Sequence, residues 1–174
     1  MARLVLLNGP PGVGKSTLAR RYADAHPLTL ALEIDGLRGM LGSWLAEAHR
    51  SGLLARRLAL ATATTHLEAG HDVLVPQLLT RREFVEELRA TAEHAGAEFR
   101  ELTLMDERAA AVERAERREE AGGFSARKLA EKQGHTLADA YDAFAAALAA
   151  RTDAEVIDAR SLDAAYEELV RRLR

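Results

Sequence analysis

Residues Gly9-Pro10-Pro11-Gly12-Val13-Gly14-Lys15-Ser16 match the pattern G-x-x-x-x-G-K-[ST] in full. Glycines at these positions let successive backbone N–H groups turn inward around phosphate oxygens. The helix that follows adds the positive end of its dipole. Gly9, Pro11, Gly12, Val13 and Gly14 would form the cradle, and Lys15 would reach the β- and γ-phosphates of a nucleoside triphosphate. The Ser16 hydroxyl would ligate Mg²⁺. Thr17 would support the loop or contact the α-phosphate. Lys15, Lys128 and Lys132 are the only lysines in a chain that otherwise uses arginine.

A metal-binding acid is expected at the end of a neighbouring strand, yet the stretch DVLVPQLL (72–79) ends in Pro76 and Gln77. Three classes of nucleotide-binding protein compete. A GTPase switch would carry an N-K-x-D segment, which the chain lacks. A motor-type ATPase would need an acidic strand end with a water-activating Glu, and a longer chain. A small kinase can place its base elsewhere and close an arginine-bearing lid over the phosphates. Gln77 carries a donor and an acceptor but no charge, which suits an acceptor's hydroxyl or carbonyl better than a metal. Pro76 breaks the strand and can aim the loop that follows.

The acid nearest in pattern is Asp35, in LEIDGLR, at the expected end of the second strand. Ligands of parallel sheets bind beyond the C-terminal strand ends. A hydroxyl acceptor needs a proton acceptor or an orienting group there. Asp is also a favoured helix N-cap, and Gly36 permits a plain turn, so capping and catalysis both stand open. Glu33 shares a strand face with Asp35. Arg38 either binds the acceptor or lies on the surface. Arg114, Arg117 and Arg118 stand at i, i+3 and i+4, which puts three guanidiniums on one helix face. Glu113, Glu116, Glu119 and Glu120 interleave with them, as on a solvated helix laced with ion pairs.

These residues must be positioned by alternating elements. Strands are expected at Arg3–Asn8, Leu28–Ile34, Asp72–Val75, Glu98–Met105 and Glu155–Ile157. Between them run helices over Lys15–Ala25, Leu37–Ala69, Arg81–His94 and Glu107–Glu120. Two more helical stretches surround Gly134, and an amphipathic helix follows over Leu162–Leu173. The Leu37–Ala69 region should break near Gly42 and at Ser51-Gly52, with Leu41, Trp44 and Leu45 on one helix face. The alternation predicts an α/β fold with a parallel sheet covered on both sides. Without repeats or linkers, residues 1–174 are expected to form one domain.

GPPGVGKSTLAR, EIDGLR and the arginine-rich stretch before Gly122 together resemble the small P-loop kinases and phosphotransferases. This family includes chloramphenicol phosphotransferase, the gluconate- and shikimate-kinase-like enzymes and the zeta-toxin-like kinases. The resemblance implies a three-layer P-loop fold, a five-stranded parallel sheet of order 2-3-1-4-5, ATP as donor and a hydroxyl as acceptor. It also implies that Asp35 is the base or orienting group and can hold Mg²⁺ through water. It further implies a lid over roughly residues 114–135, whose Arg114 and Arg118 close on the transferring group while Arg117 contacts the nucleotide. Gly122-Gly123 would be its hinge, and adenine would lie against Asp158–Ser161. Asp35, Arg38 and Gln77 would meet the acceptor, which could be a metabolite, sugar, natural product or antibiotic. A nucleoside or nucleotide kinase is the first alternative. It would need an arginine cluster in the acceptor pocket, for which Arg38 with Arg81 is thin support. A nucleotide-dependent switch or partner-binding protein with little turnover is the second.

Bulk properties narrow the partners. A net charge of −3 argues against nucleic acid. No cysteine is present, so neither a disulfide framework nor a thiolate metal site can form. Six histidines are scattered without metal-pair spacing. No apolar stretch is long enough for a membrane span, and MARLVLLNG is too short for a signal-peptide core. A cytoplasmic monomer or homodimer acting on a small molecule is the expectation.

Overall fold

The computed structural model describes residues 1–117 and 124–174. Five parallel strands form one sheet of order β2-β3-β1-β4-β5. They are β1 (Arg3–Asn8), β2 (Leu30–Ala31), β3 (Val73–Pro76), β4 (Glu98–Met105) and β5 (Val156–Asp158). The central strand is apolar on both sides, as a strand covered by helices on two faces requires. Leu4 and Leu6 face one core, with Ala55, Ala59, Ala63 and Leu67 of α3 (Ala48–Glu68) and Phe84, Val85 and Leu88 of α4 (Arg82–His94). Val5 and Leu7 face the other, with Leu18 and Tyr22 of α1 (Lys15–Ala25), Ala111 of α5 (Arg108–Arg117), Tyr141 of α7 (Leu137–Ala149) and Leu169 of α8 (Leu162–Arg172). The period of two along β1 sets this division. The expected fold class and strand order are both present.

Three differences from expectation bear on the site. β2 spans two residues instead of seven, although Leu32 N–H still donates to Leu74 O at 2.8 Å. The apolar run continues past it because Ile34 is buried from the first turn of α2 (Ile34–Gly39). Asp35 therefore stands in the first turn of α2 and not at a strand end, and Glu33 takes the N-cap position without a side-chain cap bond. Residues 41–47 form turns around Ser43, at φ 54°, so Leu41, Trp44 and Leu45 share no helix face. Finally, α3 runs unbroken through Ser51 and Gly52. Ser51 Oγ donates to Trp44 O at 2.8 Å and accepts from Arg38 Nε at 3.1 Å. The small pair is a seat for Arg38, not a helix stop.

Candidate active site

The phosphate loop is clamped between β1 and α5. At Asn8 the side-chain amide donates to Leu79 O and Glu101 Oε1, both at 3.0 Å. Its carbonyl oxygen accepts from the N–H groups of Gly9 and Leu79, both at 2.9 Å. One buried side chain thus ties the start of the loop to the segment after β3. Gly12 lies at φ +78°, and a Cβ there would stand 1.9 Å from Ala111 O. Only glycine allows α5 to approach the loop this closely. Gly14, also left-handed, caps α1. Lys15 Nζ donates to Gly9 O at 2.8 Å and Pro10 O at 2.7 Å, holding its charge across the mouth of the loop.

The arginines of α5 divide. Arg114 Nε donates to Gly12 O at 2.9 Å, and its guanidinium pairs with Asp106 at the end of β4. Arg114 thereby braces the loop from behind while lining the cavity in front of it. Tyr141 Oη donates to Asp106 O at 2.5 Å, which fastens α7 to the same corner. Arg117 lines the cavity and pairs with Glu113 on its own helix. Arg118 and the Gly122-Gly123 hinge lie outside the described residues.

A cavity of about 1610 Å³ opens beyond the loop. Lys15 and Ser16 line one side, Asp35 and Gln77 another, and Leu129 and Ala130 of α6 (Ala126–Lys132) a third. Burial pushes the Asp35 carboxyl above its ordinary value. A hydrogen bond from Gln77 and the charges of Arg38 and Lys15 pull against that, while Glu33 adds to the rise. The side-chain amide of Gln77 is thus turned to Asp35, and among the described residues its buried Oε1 has no hydrogen-bond partner. Glu33 pairs with Arg20 of α1 at 2.7 Å, a link between elements and not a cavity ligand. Arg38, buried at 8% exposure, gives one N–H to Ser51 and another to Ala48 O. The rings of Trp44 and Phe124 stand 5.6 and 5.9 Å from its guanidinium carbon.

The family model for the AAA domain matches residues 4–144. The chain belongs to the AAA domain family. No curated protein matches it by sequence. Among solved structures, APS kinase from Mycobacterium tuberculosis, in complex with AMPPNP and APS, is similar at a TM-score of 0.67 and 23% identity. The match covers 99% of this chain and 97% of that one. The tunicamycin resistance protein of Deinococcus radiodurans follows at 0.62 and 16%, over 99% and 96%. A gluconokinase from Sinorhizobium meliloti is similar at 0.54 and 18%, over 98% and 93%. The resemblance to small P-loop kinases holds at the level of the fold.

Within this AAA domain the oxygen donors suit one kind of metal. Among the described residues, no cluster of three or more His, Asp or Glu side chains could hold an ion. Ser16 and Asp35 offer a hydroxyl and a carboxylate on the cavity wall. Such a set fits a cation held mostly by phosphate oxygens and water, as Mg²⁺ is. Asn8, Asp106 and Arg56 join the site without any motif to mark them. Asn8 reads as the last residue of a strand, Asp106 as a loop acid, and Arg56 as half of an exposed Arg56-Arg57 pair. Among the described residues, no helix is long and apolar enough to cross a membrane.

Proposed function

We propose that this AAA domain is an ATP-dependent kinase that transfers the γ-phosphoryl group to a hydroxyl of a small molecule. The observation that carries the reading is the Asp35–Gln77 pair facing the phosphate loop across one cavity. The loop N–H groups and Lys15 would hold the triphosphate, and Ser16, with Asp35 reaching it through water, would hold Mg²⁺, which would supply charge neutralisation when bound. The acceptor's oxygen forms a bond to the γ-phosphorus as its proton passes to the Asp35 carboxylate. The bond from that phosphorus to the β-bridging oxygen breaks, and ADP leaves with the electron pair. Gln77 orients Asp35 through its amide and lines the cavity that the acceptor enters. Arg114, Arg117 and Arg118 are the arginines proposed to neutralise the transferring group, and planar guanidiniums suit that task. The fold shared with APS kinase, a gluconokinase and a tunicamycin resistance protein supports the class of reaction, and a cytoplasmic setting, where ATP is at hand, is compatible with it.

ADP release from ATP and Mg²⁺, measured over a panel of sugars, polyols, nucleosides and hydroxylated antibiotics, tests the proposal. At least one compound should gain a phosphoryl group, confirmed by mass, and that transfer should collapse in Asp35→Asn. Nucleotide binding with no transfer to any compound would favour a switch over a kinase.

A further inference from the structure

Two guanidiniums on the acceptor side, Arg38 and Arg56, make no ion pair among the described residues. Arg38 rests against Gly52, where an added Cβ would meet its guanidinium carbon at 3.5 Å. Arg56 stands four residues further along α3, so both cations occupy one helix face a turn apart, and both line the cavity. Among the described residues, no carboxylate lies within ion-pair distance of either. The ring of Phe84, 5.0 Å away, is the neighbour of Arg56. Most other described arginines pair with acids, such as Arg3 with Asp72 at 3.0 Å, Arg151 with Glu101 at 2.7 Å and Arg172 with Glu168 at 2.6 Å. Burial holds the Arg38 pKa below its ordinary value, Asp35 opposes this, and the charge of Arg56 lowers it further. Like charges held together at a cavity wall cost free energy unless an anion is drawn between them.

We propose that the acceptor carries an oxyanion, a carboxylate, sulfate or phosphate, that seats between Arg38 and Arg56 and directs its hydroxyl to Asp35 and Gln77. This rests on the kinase reading. Arg38 is fixed in advance by Ser51, Ala48 and the flanking Trp44 and Phe124 rings, and a rigid fork loses little freedom on binding. Its remaining N–H donors match oxyanion geometry. Arg56, exposed and seated over the Phe84 ring, closes from the other side. Gly52 keeps the space between them clear of a side chain. The arginine pair that an anionic acceptor requires is therefore Arg38 with Arg56, and not Arg38 with Arg81.

Two measurements decide it. The first titrates sulfate, a probe that needs no turnover, into the wild type while following the arginine Nε–H resonances by NMR. Two sites are expected. One, at the loop, is lost in Lys15→Ala. The other, felt by Arg38 and Arg56, weakens roughly tenfold in Arg56→Gln and less in Arg56→Lys, as removal of a charge-assisted contact should. A single site, abolished by Lys15→Ala, overturns the proposal. The second measures ADP release with matched pairs, such as hydroxy acid against amide, sugar phosphate against sugar, and nucleotide against nucleoside. The anionic member should be preferred, and Arg56→Gln should erase the preference. Transfer that favours neutral members overturns the anion proposal and leaves the kinase standing. An intact second sulfate site with no transfer to any compound overturns the kinase reading, and with it the assignment of that site to an acceptor.

Discussion

Asp35→Asn should cost turnover and raise stability together, and a merely structural Asp35 would not combine those effects. The substitution keeps the shape of the side chain and removes its proton acceptor, leaving two amides face to face where Gln77 now meets a carboxylate. A general base contributes roughly 100-fold or more, so phosphoryl transfer should fall by at least that factor. That corresponds to about 2.7 kcal/mol on the barrier. Lys15, Ser16 and the loop amides are untouched, so affinity for a non-hydrolysable ATP analogue should stay within about threefold by calorimetry, under ~0.7 kcal/mol.

Stability should move the other way. Burial outweighs Gln77, Arg38 and Lys15, so the folded protein holds the Asp35 proton more tightly than an unfolded chain, whose carboxyl keeps its ordinary value of 3.8. Above the folded value the ionised carboxylate costs stability. As pH falls through that value towards 3.8, the native state takes up the proton and the cost disappears. The attraction to Arg38 and Lys15 is already contained in the net upward direction. At pH 7 the Asp35→Asn protein should therefore melt above the wild type, by about 2–4 °C if relieving the site is worth ~1 kcal/mol. The gap should narrow in melts recorded towards pH 4. Unchanged transfer, or a lower midpoint at pH 7 that does not converge on acidification, would refute the reasoning.

Three further substitutions probe the frame around the site. Gly12→Ala meets a left-handed backbone penalty of about 1–2 kcal/mol and a clash with Ala111 O worth about 1–3 more. Urea unfolding should show a loss of ~2–5 kcal/mol, and a loss below ~0.5 would mean that α5 does not press on the loop. Arg114→Ala strips the partner from Asp106, whose side chain is 4% exposed, and should cost about 1–3 kcal/mol. Adding Asp106→Asn should recover most of it, and strict additivity in that cycle would show the pair is uncoupled. Lys132 donates to Leu45 O at 2.6 Å and Ala46 O at 3.0 Å, tying α6 to the turns beside Arg38. Lys132→Ala should change stability by less than ~1 kcal/mol while raising the KM of the transferred acceptor several-fold, and an unmoved KM would count against that tie.

The parts legible in the sequence are those in which function and neighbourhood along the chain coincide. The loop is eight consecutive residues, and β1 before it is apolar on both faces, so motif and fold announce each other. Asp35 was legible through its position one strand from the loop, although the strand that was to carry it ends at Ala31 and a helix turn presents it instead. Arg56 was not legible, because a cation on a polar helix face looks solvated until Arg38 is known to fold back onto that face. Ser51-Gly52 looks like a helix break for the same reason: small residues serve a side chain thirteen positions away. Contacts across the chain override local propensity here, as they do wherever a helix is held by packing.

The uncharged end of β3 then acquires a physical reason. A carboxylate in place of Gln77 would put a second negative charge against Asp35 in a buried wall. Two acids that close cannot both ionise, and one would hold its proton at neutral pH. Burial already raises Asp35, and a like charge would raise it further and disable it as a proton acceptor. An amide at 77 does the reverse, donating to the ionised carboxylate and pulling its pKa down. The acceptor atom left over, Oε1, is buried and among the described residues has no partner, on a residue that lines the same cavity. Gln77 is thus a residue type at this strand end that opposes the rise burial imposes on Asp35, where a second acid would add to it.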